Sequence, residues 1–125
     1  MRTVATDTAP AAVGPYSQAV ISGGLVFVSG QIPLDPATGR MVAGTFAEQV
    51  RRALDNLETI LCAAGSGRER VVKVTVYLTD MARFAELNEV YARFFGDHRP
   101  ARAVVEVAAL PAGAPVEIEA VAEAG

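Results

Sequence analysis

The sequence predicts a single domain of the α+β class, and three observations lead to this prediction. The chain has 125 residues, the size of one domain. Two segments carry apolar residues at helical spacing, and the segments around them have the spacing of strands. The predicted order is ββ(β)αβαββ, with strands first and helices interleaved with later strands. We therefore expect one sheet with both helices on one face, in a single domain over residues 1–125.

The first two strands form a predicted hairpin. Val20-Ile21 and Leu25–Val28 are strand-like, and Gly23-Gly24 between them suits a two-residue turn that requires positive φ. A second turn is predicted at Asp35–Gly39, because proline sets φ after the aspartate and the glycine can adopt the left-handed conformation. We expect Met41-Val42 to start a short returning strand.

Two amphipathic helices are predicted. The first begins at Thr45, which forms a capping box with Glu48, and ends at Gly65. The second begins after Asp80, a favourable N-cap, and ends at Gly96. The apolar stripe of the first helix consists of Phe46, Val50, Ala53, Leu54, Leu57, Ile60, Leu61 and Ala64, and that of the second of Phe84, Leu87, Tyr91 and Phe94.

Three further strands are predicted at Val71–Leu78, Ala101–Val107 and Val116–Val121. Period two divides the first of them into two faces, Val72, Val74, Val76 and Leu78 on one and Val71, Lys73, Thr75 and Tyr77 on the other. Two helices cover only one face of such a sheet, which leaves the second set on an open, half-apolar face. We expect the chain to associate through this face.

The composition excludes several classes of protein. The chain is 51% hydrophobic and 20% charged, which excludes disorder through low hydrophobicity. Its 11 basic and 14 acidic side chains give a net charge of −3, which disfavours nucleic-acid binding through phosphate neutralisation. No apolar run approaches the ~20 residues of a membrane span, and the segment Met1–Asp7 does not resemble a signal peptide. We expect a soluble cytoplasmic protein.

Few residues suggest catalysis on their own. The chain lacks the glycine-rich motifs that bind nucleotides, and its single histidine, His98, cannot build a histidine-based metal site. We interpret His98 as a solvated loop residue. The single cysteine, Cys62, is interpreted as a small packing residue of the first helix.

The last third of the chain contains the clearest candidates for binding or catalysis. Arg102 begins an otherwise apolar strand, where an arginine needs an anionic partner, and its planar fork suits a carboxylate. Glu117 and Glu119 share one face of the last strand. A structural Arg–Glu ion pair beside a solvated face explains this pattern, and so does a site that binds a carboxylate ligand.

Five segments of the sequence match motifs of one known protein family. These segments are Ala9–Gln18, Val28–Pro33, Asn88–Phe95, Pro100–Arg102 and Val116–Ala120. They resemble the RidA family, also called YjgF or endoribonuclease L-PSP, and they occur in the family's order. The resemblance covers nearly the whole chain, and the last two segments are the family's most specific signature. On these motifs the chain is identified as a member of the family.

The resemblance implies a chorismate-mutase-like fold of the trimeric type, with a mixed sheet and two helices on one face. It implies a homotrimer with sites between subunits, and hydrolysis of 2-aminoacrylate and 2-iminopropionate-type intermediates to a 2-keto acid and ammonia. No metal or organic cofactor is expected. Arg102 would bind the substrate carboxylate, and Glu117 would position water and transfer its proton. Further substrate contacts are expected from Tyr16, Ser29, Gly30, Asn88 and the backbone of Val104.

One departure from the family and three alternative functions follow. Many members have a cysteine where this chain has Val104, so thiol chemistry at that position is excluded while hydrolysis is not. A non-catalytic module would bind small carboxylates, although it would not need both Arg102 and Glu117. A pathway-specific deaminase would act on a larger imine. An endoribonuclease would need phosphate-binding cations, which one histidine and a net charge of −3 supply poorly.

Overall fold

A computed structural model describes residues 1–125 of the chain. Its strands are β1 (Arg2–Val4), β2 (Ala19–Ser22), β3 (Leu25–Gln31), β4 (Val71–Leu78), β5 (Ala101–Glu106) and β6 (Val116–Glu123). They form one six-stranded sheet in the order β1-β2-β3-β6-β4-β5. Only β4 and β5 are parallel, and all other neighbours are antiparallel. The predicted α+β class with a mixed sheet is confirmed.

Two helices, α1 (Phe46–Ala63) and α2 (Phe84–Phe95), pack together on one face of the sheet. The predicted capping box at the start of α1 is present. The side chain of Thr45 accepts a hydrogen bond from the Glu48 backbone at 3.2 Å, and Glu48 accepts one from the Thr45 backbone at 3.2 Å. The helix ends before Gly65, which adopts a φ of 78°. The buried stripes of the helices and the inner face of the sheet form one hydrophobic core.

The predicted turns are present, but the ends of the sheet differ from the prediction. Gly23 and Gly24 have φ values of 60° and 79°, as the two-residue hairpin turn requires. Met41 forms a single bridge with Leu34 instead of starting a strand. The strand β1 is absent from the prediction, because its three residues, Arg2–Val4, are too few to show an alternating pattern.

The predicted faces of β4 are wrong at its first two residues. Val71 is buried and Val72 is exposed, because a bulge between Val71 and Lys73 shifts the register against β6. From Val74 onward the alternation is as predicted. The open face of the sheet also carries Phe27, which is exposed.

The start of α2 and two single residues also differ from the prediction. Asp80 caps a 3₁₀ turn, through the backbone amide of Ala82 at 3.0 Å, instead of capping α2 itself. Phe84 is therefore in the first turn of α2, 39% exposed and outside the buried stripe. Cys62 is exposed on α1. His98 is half-buried, with Nε2 at 2.7 Å from a backbone carbonyl oxygen of β4.

Neither helix combines the length and the apolar character that crossing a bilayer requires.

Candidate active site

Glu117 lies against a bulge in β3, beside a pocket. The register of β3 against β6 shifts between Val28 and Gln31, so Ser29 and Gly30 form the bulge. A Cβ atom at residue 30 would overlap with the carboxylate of Glu117. Only glycine therefore lets this carboxylate lie against the strand. The residues that line the pocket beside it include Tyr16, Gly30, Ile32, Leu34, Pro111 and Glu117.

Glu117 has a raised pKa. Burial is the main cause, because a half-buried carboxylate loses hydration, and the negative charge of Glu119 on the same face adds to it. Glu119 accepts a hydrogen bond from the hydroxyl of Tyr77, which lies opposite Glu117 on β4. This hydrogen bond, with burial, raises the pKa of Tyr77 and keeps it a donor. A carboxyl group with a raised pKa is suited to exchange protons near neutral pH.

The loop before β2 forms the outer wall of the pocket. Tyr16 in this loop is 49% exposed, and its hydroxyl accepts a hydrogen bond from the Val13 backbone at 3.3 Å. Ser29 donates its hydroxyl to the backbone carbonyl of Ser17 at 2.6 Å. Ser29 therefore holds the loop against the bulge in β3, in addition to lining the site.

Two buried amides, which the sequence analysis did not find, hold the pocket walls. The side chain of Gln18 accepts a hydrogen bond from the Thr6 backbone at 2.7 Å and donates one to the Pro10 carbonyl at 2.8 Å. Asn56 on α1 donates to the carbonyl of Leu34 at 2.9 Å. The sequence does not reveal these roles, because the hydrogen bonds that Gln18 and Asn56 form with the pocket walls go to backbone outside their own elements.

Arg102 lies on the helix side of the sheet, half-buried against α2. Its Nη1 donates a hydrogen bond to Oδ1 of Asn88 at 2.9 Å. Its guanidinium carbon lies 4.8 Å from the ring centre of Tyr91 and 5.6 Å from that of Phe84. No carboxylate of the chain forms an ion pair with it. The guanidinium therefore keeps its charge and most of its N–H donors available for an external anion.

Arg102 and Glu117 project from opposite faces of the sheet. Arg102 pairs with Val74 of β4, which is buried beneath the helices, whereas Glu117 pairs with Tyr77 on the open face. Directly paired residues project from the same face, so the guanidinium and the carboxylate point away from each other. The structural Arg–Glu pair considered from the sequence is absent. One small molecule cannot contact both groups within a single chain.

The remaining candidate residues divide between these two half-sites. Tyr16, Ser29 and Gly30 lie with Glu117, and Asn88 lies with Arg102. Val104 also lies on the side of Arg102, with its side chain packed against the core, so only its backbone is available to a ligand.

Tyr91 and Phe84 contact Arg102, although the sequence analysis assigned them only to packing. The sequence feature that could have revealed these contacts is the spacing of residues 84, 88 and 91, which places them on one face of α2.

No group of three or more His, Cys, Asp or Glu side chains converges in a way that could hold a metal ion.

Comparison with known proteins decides the family. The family model described as Endoribonuclease L-PSP matches residues 6–124. The chain belongs to the RidA/L-PSP family. A RutC family protein of Pyrococcus horikoshii is 52% identical over 117 residues, which cover 94% of this RidA-family chain and 93% of that protein. The 2-iminobutanoate/2-iminopropanoate deaminase of Homo sapiens is 48% identical, covering 99% of this chain and 90% of that protein.

Solved structures of RidA relatives have the same fold. E. coli TdcF with bound serine superposes with a TM-score of 0.94 at 43% identity, over 100% of both chains. RidA from an Antarctic Psychrobacter has a TM-score of 0.94 at 47% identity, over 98% of this chain and 99% of that one. The predicted family and its chorismate-mutase-like fold are confirmed.

Proposed function

We propose that this RidA-family chain is an enamine/imine deaminase, which hydrolyses 2-aminoacrylate and 2-iminopropanoate-type intermediates to a 2-keto acid and ammonia. One observation carries the proposal: an arginine without an internal counter-ion occurs together with a half-buried glutamate of raised pKa. Arg102 is suited to bind a carboxylate, and Glu117 is suited to exchange protons with water. Hydrolysis of an imino acid requires both abilities.

The chemistry follows from these two groups. Arg102 binds the substrate carboxylate and so fixes the imine carbon. Glu117 accepts a proton from water as the water oxygen bonds to that carbon, and passes the proton to the imine nitrogen. Glu117 then accepts the hydroxyl proton of the tetrahedral intermediate and transfers it to nitrogen as the C–N bond breaks. The products are the 2-keto acid and ammonia. An enamine enters the same route after it tautomerises to the imine, as its methylene carbon takes up a proton from water and its nitrogen loses one to water.

Relatives support this reaction over the alternatives. The human relative is named as a deaminase of 2-iminobutanoate and 2-iminopropanoate. The TdcF relative binds serine, whose carboxylate is the group that Arg102 would bind here. The family description also suggests RNA cleavage, but acid–base cleavage of RNA requires a paired general acid and base and phosphate-binding cations, which a chain with one histidine and a net charge of −3 supplies poorly.

The geometry favours a site that is shared by two copies of the chain. Arg102 and Glu117 project from opposite faces, so we infer that Arg102 of one copy meets Glu117 of its neighbour. Exposed apolar side chains on the open face, including Phe27 and Val105, favour such an association. When each copy offers a different half-site to each of two neighbours, the contact is head-to-tail, and it closes into a ring where the rotation between neighbours allows it. We propose a homotrimer with a site at each interface.

A coupled assay tests the proposed function. A pyridoxal-phosphate dehydratase generates 2-aminoacrylate from serine, and keto-acid formation is followed with and without the chain. We expect the chain to accelerate keto-acid release at an unchanged rate of serine consumption. Bovine serum albumin at equal concentration is the control for nonspecific effects. An unchanged rate of release would exclude the deaminase function, and light scattering that gives a monomer at micromolar concentration would exclude the shared site.

A further inference from the structure

We propose that Tyr91 is a positioning residue, whose ring orients Arg102 for binding a carboxylate. This inference rests on the proposed function, because it concerns how Arg102 meets the substrate. The guanidinium carbon of Arg102 lies 4.8 Å from the ring centre of Tyr91. At this distance the negative face of an aromatic ring attracts a cation. Tyr91 therefore restricts a side chain that is otherwise long and flexible.

Tyr91 is itself held rigidly. It is 7% exposed, and its ring packs against Phe95 with 4.7 Å between the ring centres. Phe95 in turn packs edge-on against Phe94 at 5.0 Å. Because the aromatic cluster fixes the ring, the ring can fix the guanidinium that lies over it.

The ring of Tyr91, and not its hydroxyl, makes this contact. The hydroxyl oxygen is buried and has no hydrogen-bond partner. A buried hydroxyl without a partner is unfavourable, so hydrogen bonding does not explain the position of Tyr91. The hydroxyl therefore offers no role in orienting Arg102, whereas the ring face does.

An aromatic ring orients arginine without neutralising it. A carboxylate neighbour would hold Arg102 equally well, but it would occupy the N–H groups and the charge that a ligand needs. Within the chain only one N–H group of Arg102 is used, by Asn88 at 2.9 Å. Asn88 and Tyr91 are three residues apart on α2, so one helical face supplies both contacts.

Three variants test the proposal. Tyr91→Leu removes the ring, and Tyr91→Phe keeps it. Phe46→Leu is the matched control, because it removes a buried ring that contacts a different arginine, Arg83, and lies outside the cluster around Tyr91. Two readouts are used: restricted rotation of the Arg102 guanidinium by NMR of its N–H groups, and pyruvate affinity by calorimetry. Circular dichroism and light scattering verify the fold and the assembly.

We expect Tyr91→Leu to release the rotation of the guanidinium and to weaken pyruvate binding roughly tenfold, with KM rising in parallel and kcat changing less. Tyr91→Phe should keep the restricted rotation and most of the affinity. Restricted rotation that persists in Tyr91→Leu, or an equal loss in Phe46→Leu, would overturn the proposal. If the coupled assay detects no deaminase activity while pyruvate affinity and guanidinium rotation still depend on Tyr91, the positioning role stands and the deaminase function fails.

Discussion

Gly30 and Glu117 lie in contact across the β3–β6 pair, with no room for a side chain between them. Gly30 does not have positive φ, so its backbone conformation does not require glycine. Glycine is required at this position because the carboxylate of Glu117 approaches the backbone so closely. The bulge at Ser29 and Gly30 therefore has a chemical consequence, because it provides the space in which Glu117 becomes half-buried and acquires its raised pKa.

Gly30→Ala tests this relationship. The added methyl group would displace the carboxylate of Glu117, so we expect deaminase turnover to fall by at least about 100-fold, the lower end for acid–base catalysis. Gly67→Ala is the control, because the atoms nearest to its methyl group would belong to the exposed side chain of Glu69, far from the pocket. The coupled assay measures both variants. Wild-type turnover in Gly30→Ala would contradict the catalytic placement of Glu117.

Arg102→Ala should abolish most carboxylate binding without unfolding the chain. Charge-assisted hydrogen bonds contribute about 1.5–3 kcal/mol, so the Kd for pyruvate should rise about 10- to 100-fold. Arg102→Lys should also bind poorly, because an ammonium does not replace the planar fork. Arg93→Ala, an exposed residue of α2, is the control. Calorimetric titration with pyruvate measures the effect, and unchanged affinity in Arg102→Ala would refute the assignment.

Glu117→Gln should lose turnover and gain stability at neutral pH. Glutamine cannot exchange the proton, so we expect a loss near the lower end of about 10²–10⁴-fold while pyruvate still binds. The pKa of Glu117 is raised in the folded chain above its value in the unfolded chain. Ionisation therefore costs stability as pH rises through the folded pKa. The variant should melt higher than wild type at neutral pH, but not at a pH below the ordinary carboxyl range.

The same pKa sets the pH dependence of activity. Glu117 must be ionised to accept a proton, so kcat/KM of the wild type should fall as pH falls through the raised pKa. Calorimetry at several pH values and pH–rate profiles distinguish this from a structural role. Lower stability together with weaker pyruvate binding in Glu117→Gln would indicate a structural role instead.

Local patterns predicted the fold well where a residue's environment depends on its own segment. The capping box at Thr45 and the glycine pair at residues 23 and 24 are decided by backbone chemistry within a few residues. The burial of Val71 and the exposure of Val72, the reverse of the prediction, could not be foreseen from the sequence. They result from a bulge, which depends on how β4 aligns with β6, a strand distant in sequence.

The sequence predicted which residues are candidates for the site, but not how these residues are arranged in space. Motif resemblance selected Arg102 and Glu117, yet which faces they share depends on pairing through β4. The contact between Tyr91 and Arg102 also depends on strand pairing and could not be predicted from the local sequence. Helical spacing placed Tyr91 in the core, correctly, but it does not reveal that a strand brings a cation to the ring.

Ala112→Gly should stabilise the chain. Ala112 is the only non-glycine residue with positive φ, at 57°. That conformation costs a residue with a Cβ about 1–2 kcal/mol, which exceeds the extra entropy of about 0.5–1 kcal/mol that glycine loses on folding. We expect the free energy of unfolding to rise by up to about 1 kcal/mol in urea titrations. The control, Ala109→Gly, has ordinary φ in the same loop and should destabilise. If Ala112→Gly lost as much stability as the control, the conclusion that Ala112 is strained would be contradicted.

Complementation between two inactive variants tests whether sites are shared between copies. Arg102→Ala retains Glu117, and Glu117→Gln retains Arg102, so a mixed trimer contains some interfaces at which both intact groups meet. Every mixed trimer, whether 2:1 or 1:2, has one interface of the three at which intact Arg102 meets intact Glu117, so we expect about a third of the wild-type rate from purified mixed trimers. Co-expression with two different tags allows mixed trimers to be purified for the coupled assay. Arg102→Ala co-expressed with the double variant Arg102→Ala/Glu117→Gln is the control, since no interface then contains both groups. Mixed trimers as inactive as this control would show that each chain builds its site alone. That outcome would contradict the inference that Arg102 and Glu117, which project from opposite faces of one chain, form a site only between two copies.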